Sequence, residues 1–209
     1  MAAAKTDHAL ERMIFFSDAV FAIAITLLVI DLHPPELPRG ASDAAHLQAL
    51  ARLMPNFVSF GISFAVIGMF WMGHHRAFGL AARYSPRVLG WNLGLLATIV
   101  FMPFAAAYLS SNIFQRVPAI LYCLVMLAAA LLNLKVNRTA TGPLMADPNA
   151  SPEALAYVRQ RGISVVLGAA SAVALAFVLP GFCQAGLISI PFWRRFVTWR
   201  ANRRGAVRA

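Results

Sequence analysis

The sequence predicts an all-α integral membrane protein on three grounds. Of its 209 residues, 60% are hydrophobic and 12% are charged, with a mean hydropathy of +0.68, which is too little polar surface for a soluble globule. Six apolar stretches approach the roughly 20 residues a helix needs to cross a hydrocarbon core about 30 Å thick. Basic residues collect in alternate connections between those stretches.

The stretches run over about 13–32, 53–75, 88–110, 117–135, 162–180 and 184–198. The sixth is the shortest, and Pro191 within "AGLISIPFW" makes a partial or interfacial helix the expectation there. "HPPELPRGASDAAHLQAL" reads as a polar, proline-rich connection, and "NRTATGPLMADPNASPEALAYVRQR" as a loop with a short amphipathic lead into the fifth helix. No internal repeat stands out, so residues 1–209 read as one six-helix transmembrane domain ending in a basic tail over 199–209. The first stretch holds Asp18 and lacks a small-residue cleavage site after it, so it reads as a retained helix and not a signal peptide. Cys123 and Cys183 lie far apart in apolar runs and read as small, inert hydrophobes.

The formal net charge of +10 carries topological information through its distribution. With the N-terminus inside, fifteen of the eighteen Lys and Arg residues fall on the cytoplasmic side, from Lys5 and Arg12 to Arg208, leaving Arg39, Arg52 and Arg116 outside. Both termini are therefore expected in the cytoplasm, with "RRFVTWRANRR" against anionic headgroups and Trp193 and Trp199 at interfacial depth. Nucleic acid is a poor partner for such a chain.

At about 100° per residue, Ile23, Thr26, Leu27 and Ile30 form one stripe of the first helix, extended backward through Ala19 and Phe16. Asp18 lies about 140° away on the helical wheel. A membrane carboxylate needs a partner or contact with water. "FWMGHHRAF" supplies Trp71, His74 and His75, and "RVLGWNLGLL" supplies Asn92, all at the depth of Arg12, Ser17 and Asp18. A polar cluster joining helices one, two and three is expected, with Asp18 bonded to a histidine or to Asn92 and Arg12 offsetting its charge. Such groups either fix helix packing alone or take part in gating or proton sensing.

Arg12, Phe16, Ser17 and Asp18 make the pattern R-x-x-x-F-S-D, followed by "AVFAIAITLLVIDL". This segment resembles the first-helix signature of the transmembrane protein 175 family of potassium channels in its short prokaryotic form. "FWMGHHRAF", "LGWNLGLL" and the "FMPF" at 101–104 are similar to that family as well. The resemblance implies a homotetramer in a prokaryotic plasma membrane, each subunit giving its first helix to a central pore for potassium and other monovalent cations. It implies no carbonyl filter, a constriction at Ile23, further apolar rings at Leu27 and Ile30, and a selectivity ring at Thr26. No cofactor is implied beyond the permeant potassium, and membrane lipids are the surroundings. One FSD segment per chain means that four copies are needed.

Other classes fit less well. An intramembrane hydrolase would have only Ser17 with His74 or His75, and no oxyanion-hole signal accompanies them. Adjacent histidines point about 100° apart on a helix, which disfavours a metal site. A proton-coupled or other secondary transporter would use an Asp18/His75 relay, and would ordinarily show inverted repeats.

Overall fold

The computed structural model describes residues 7–206, except the side chains of 202 and 204–206. Lys5 and Arg208 lie outside the described residues, as does the side chain of Arg204. The helices are α1 (His8–Leu27), α2 (Asp43–Arg52), α3 (Met54–Phe78), α4 (Pro86–Ser110), α5 (Arg116–Ala140) and α6 (Pro152–Val178). A 3-10 segment (Pro180–Ser189) then leads into α7 (Ile190–Ala206). Among the described residues the extended pairing is a single bridge, Ala81 with Ala146.

Local chemistry sets these limits. Asp7 caps α1 by accepting from the Ala9 and Leu10 N–H groups, so the helix starts five residues before the apolar stretch does. It stops at Leu27, where Val29 N–H bonds to Thr26 O and Ile30 N–H to Leu27 O, the shorter spacing of a tightened last turn. Ser151 caps α6, with Pro152 in its first turn, and the amphipathic lead at 152–161 is continuous with the membrane helix. The connection read as polar and proline-rich holds a helix of its own, α2, capped by Ser42 through the Ala45 N–H. None of its residues is buried.

Four helices, α3 to α6, are long and apolar enough to cross a membrane, with mean hydropathy of 1.5 to 2.3 over their best windows. Two of the six expected spans fall short of that measure for separate reasons. Every 18-residue window of α1 contains Glu11, Arg12 and Asp18. The stretch expected at 184–198 is split, because the chain runs as a 3-10 segment to Ser189 and becomes α-helical at Ile190. Pro191 lies in the first turn of α7, where its missing N–H leaves no helical bond unmade. The tail over 199–206 continues α7.

Successive long helices alternate in direction. At one end, Tyr84 N–H donates to the Asp7 carboxylate, tying the start of α1 to the α3–α4 loop. That loop clasps the α5–α6 loop through Ala82 N–H to Met145 O at 2.8 Å and Asp147 N–H to Leu80 O at 2.9 Å. At the other end, Asn56 of α3 donates to Ser110 of α4 at 3.5 Å. Arg12, Arg76, Arg83, Arg87, Lys135, Arg138, Arg159 and Arg161 therefore share the first end, whereas Arg39, Arg52 and Arg116 lie toward the second.

The C-terminal segment folds back along α6. Small residues at four-residue spacing, Gly168, Ala172 and Ala176, are buried on the face it uses. A Cβ on Gly186 would lie 2.4 Å from Ala172 Cα, and one on Gly168 would lie 2.3 Å from Ile190 Cγ1. Farther along, Thr198 donates to Gln160 at 3.4 Å. Trp193 is half-buried and its Nε1 donates to Ser171 Oγ at 3.1 Å, which holds the indole against α6. Trp199 is exposed, with the Arg203 guanidinium 4.3 Å from its ring.

Gly186→Ala should therefore cost about 1–3 kcal/mol by overpacking. Gly61→Ala, which meets nothing within 4 Å, should leave the melting temperature unchanged or slightly raised. Thermal melts of the two variants in detergent check this, and equal melting temperatures would refute the close approach.

Candidate functional site: the first helix and its polar anchor

Helix α1 has two faces. Leu10, Met13, Ser17, Phe21 and Ala24 are buried at spacings of three and four, and Leu28 continues the row. Phe16, Ala19, Ile23, Thr26 and Leu27 are left uncovered by the rest of the chain, as is Ile30 beyond the helix. Ile23 is 57% exposed and Ile30 64%, exposures that apolar side chains on other helices, such as Phe104 at 57%, also reach. Ile30 lies past the end of α1, so the α-helical count used for it in sequence does not apply. In the tightened turn, residues three apart eclipse, which stacks Ile30 over Leu27.

One directed chain of hydrogen bonds holds α1 to its neighbours. His74 of α3 bonds through Nε2 to Asn92 Oδ1 of α4 at 2.9 Å. Asn92 Nδ2 donates to Ser17 Oγ of α1 at 2.8 Å, and Ser17 Oγ donates to Met13 O at 2.8 Å. All three side chains are fully buried. Because Ser17 spends its proton on Met13, it can only accept from Asn92, which leaves Asn92 Oδ1 as acceptor and His74 Nε2 as donor. His74 Nδ1 faces no polar partner and sits between the rings of Phe21, at 5.5 Å, and Phe78, at 4.5 Å.

Asp18 stands apart from this chain. Its partner is neither histidine nor Asn92 but the indole N–H of Trp71, 2.9 Å from Oδ1. His75 stacks on the same indole, with centroids 5.6 Å apart. Serine and aspartate are neighbours on α1 and so diverge by about 100°, one into the bundle and one along its side. Arg12 does not offset the Asp18 charge: it is exposed, and His8–Glu11 is the one ion pair among the described residues. Six residues separate Arg12 from Asp18, about 9 Å of rise and roughly 120° around the helix. The expected single cluster is thus two constructions, a buried Ser17–Asn92–His74 chain and a half-exposed Asp18–Trp71–His75 group.

The start of α1 is also fixed. Tyr84 N–H, followed in effect by the N–H groups of Leu10 and Ala9, holds the Asp7 carboxyl below its ordinary value. Sequence reading passed over Asp7, although an aspartate just before a helical run is an N-cap signal. It also passed over Asn133 and Asn137, whose spacing of four inside apolar α5 was a legible sign, and it read Arg161 of α6 only as a topological charge.

Long apolar helices, loops confined to the ends and a first helix with one anchored and one uncovered face define a polytopic membrane protein. This chain belongs to the TMEM175 family. The family model described as endosomal/lysosomal potassium channel TMEM175 matches residues 12–103, which run from α1 through most of α4. A Streptomyces collinus protein named as a potassium channel is 36% identical over 173 residues, covering 80% of this chain and 82% of the relative. The crystal structure of a lysosomal potassium-selective channel TMEM175 homolog from Chamaesiphon minutus superposes with a TM-score of 0.73 at 27% identity, covering 93% of this chain and 98% of that one. The human endosomal/lysosomal proton channel TMEM175 is 33% identical over 114 residues, covering 52% of this chain and 22% of that protein. The family is one of ion channels and not of enzymes.

The anchor predicts a graded response. Asn92→Leu strands the His74 N–H and the Ser17 oxygen, and should cost about 1–3 kcal/mol for each buried polar group left unpaired. Ser17→Ala keeps the His74–Asn92 bond and strands only the Asn92 amide N–H, so it should cost about 1–3 kcal/mol, one such penalty where Asn92→Leu incurs two. Thermal melts of both variants check the order, and a reversal would displace Asn92 from the centre of the chain.

Proposed function

We propose that four copies of this chain surround a central pore lined by the uncovered face of α1, which conducts potassium with weak preference over sodium. The observation that carries the reading is that face: Ile23, Thr26 and Leu27 are exposed while the opposite side of the same helix is buried and hydrogen-bonded. The names of the bacterial relatives favour potassium as the permeant ion. Residue by residue, Ile23 forms the narrowest ring, Leu27 and Ile30 form further apolar rings, and Thr26 forms the hydroxyl ring. Thr26 Oγ1 donates its proton to Ile23 O at 2.9 Å, so its remaining lone pairs are free to accept a cation.

An apolar ring passes ions only when it is wide enough to hold water, so a small widening opens it and a small narrowing dries it. Potassium sheds its hydration shell at lower cost than sodium, which gives mild discrimination without a rigid cage of carbonyls. The remaining elements complete a six-helix subunit in this reading, with α1 as the first crossing and residues 180–198 as the last. That last segment kinks at Phe182 and runs back beside α6, with Gly186 against Ala172, Ile190 against Gly168 and Thr198 against Gln160, so it covers about 27 Å, close to the thickness of the hydrocarbon core. The concentration of arginines at one end supports a topology with both termini in the cytoplasm, and the bacterial relatives support a prokaryotic plasma membrane.

The alternative, a secondary transporter using a proton relay from Asp18 to His75, meets an obstacle. The Trp71 indole bonds to the carboxylate and stacks on the imidazole, and an indole N–H is a donor only, unable to pass a proton on.

Planar-bilayer recording from the purified full-length protein, with potassium on one side and sodium on the other, tests the proposal. Unitary currents reversing toward the potassium equilibrium potential are expected, and Ile23→Asn should wet the constriction and raise conductance several-fold. Substrate-saturable counterflow without unitary currents would overturn the channel reading, and unchanged currents in Ile23→Asn would remove Ile23 from the gate.

A further inference from the structure

At the arginine-rich end of the bundle, α3, α6 and α7 enclose a groove of about 880 Å³. Arg76, Arg161, Arg194 and Arg195 all line it, and no carboxylate does. None of the four forms an ion pair among the described residues. Four like charges around one groove repel one another, a cost that a bound anion removes.

The site is built more firmly than a loose basic surface. Arg161 Nη1 is buried and has no hydrogen-bond partner. Arg161 also borders a second, smaller cavity of about 70 Å³, in which the Oδ1 atoms of Asn133 and Asn137 are likewise buried and unpartnered. That cavity is apolar apart from these three side chains but large enough for a water that would complete the asparagine oxygens, and Arg161 lines both it and the groove. On the groove side the Arg194 guanidinium lies 5.9 Å from the Tyr157 ring. Ile190 and Pro191 supply an apolar wall, seated against α6 by the missing side chain of Gly168. Guanidinium groups in a fixed fork match phosphate oxygens, and an apolar wall beside them suits a ligand that is ionic at one end and hydrocarbon at the other.

We propose that this groove binds the phosphate headgroup of an acidic phospholipid, with Arg161 and Arg194 as the principal contacts, Arg76 and Arg195 as flanking charges, and the acyl chains leaving along Ile190 and Pro191. The bound lipid clamps α7 to α3 and α6 and neutralises the groove. The site rests on the chain lying in a bilayer and is independent of whether α1 conducts, so silence in electrical recordings does not bear on it.

The full-length protein in uncharged detergent micelles is titrated with brominated phosphatidylglycerol or brominated phosphatidylcholine, and tryptophan quenching is read, Trp199 lying on the groove itself. Phosphatidylglycerol should quench at a lower mole fraction than phosphatidylcholine. Arg161→Gln and Arg194→Gln should each raise the half-quenching fraction about fivefold. Arg195→Gln, whose side chain is exposed, keeps the test usable should Arg161→Gln fail to fold, and should shift it in the same direction. Arg87→Gln, at the same end of the bundle but outside the groove, should leave it unchanged. Equal quenching by the two lipids, or an equal shift from Arg87→Gln, would overturn the proposal in favour of diffuse surface charge. Displacement of the lipid by millimolar inorganic phosphate would overturn it in favour of a soluble phosphate ligand.

Discussion

The hydrogen-bond chain from His74 through Asn92 to Ser17 fixes how α1 is rotated, and the presentation of its other face depends on that rotation. One residue of rotation is about 100°, enough to carry Ile23 from the uncovered face to the packed one. Apolar packing alone resists such a turn weakly in a membrane, where one hydrocarbon face is nearly as good as another. A serine that must accept from an asparagine in the dry interior resists it strongly, because every rotated state leaves polar groups unpaired. Phe21, Ala24 and Leu28 then follow Ser17 into the bundle, and Phe16, Ile23 and Leu27 are left outside it. The Asp7 cap, bonded to Tyr84 N–H, fixes the start of the same helix from a second direction.

A comparable division of labour governs the C-terminal third. Glycine at 186 and 168 lets an irregular segment lie against α6, and this contact sets where α7 begins. The arginines of α7 then meet those of α3 and α6 at one end of the bundle. Charge that serves orientation in the sequence thereby becomes a shaped groove in the fold.

Much of this was legible beforehand because membrane solvation leaves a chain few choices. Apolar length, charge at alternate ends and the spacing Phe16, Ala19, Ile23, Thr26 and Leu27 are properties of a helix by itself, and hydropathy and an angle count suffice to read them. Partner choice is not such a property. Ser17, Asp18, His74, His75, Trp71 and Asn92 lie at one depth, but which pairs form depends on neighbouring helix rotations that no single helix encodes. Asp18 accordingly found an indole where an imidazole was expected. The shape of the stretch expected at 184–198 was obscured for another reason, since a 3-10 segment kinked at Phe182 does not follow the 3.6-residue period and is supported by contacts with α6. Helix α2 was concealed by its polarity, although Ser42 before "DAAHLQAL" is an ordinary cap ahead of good helix formers.

The central claim is that the uncovered face of α1 meets its own copies around an axis. Oxidative cross-linking in membranes tests it most directly, using Ile23→Cys and Ala24→Cys in a background with Cys123 and Cys183 replaced by alanine. Disulfide-linked dimers should form with Ile23→Cys and not with Ala24→Cys, whose side chain is fully buried within the subunit. A monomeric Ile23→Cys, together with cross-links from Phe104→Cys on the exposed side of α4, would contradict the account and move the subunit axis to α4.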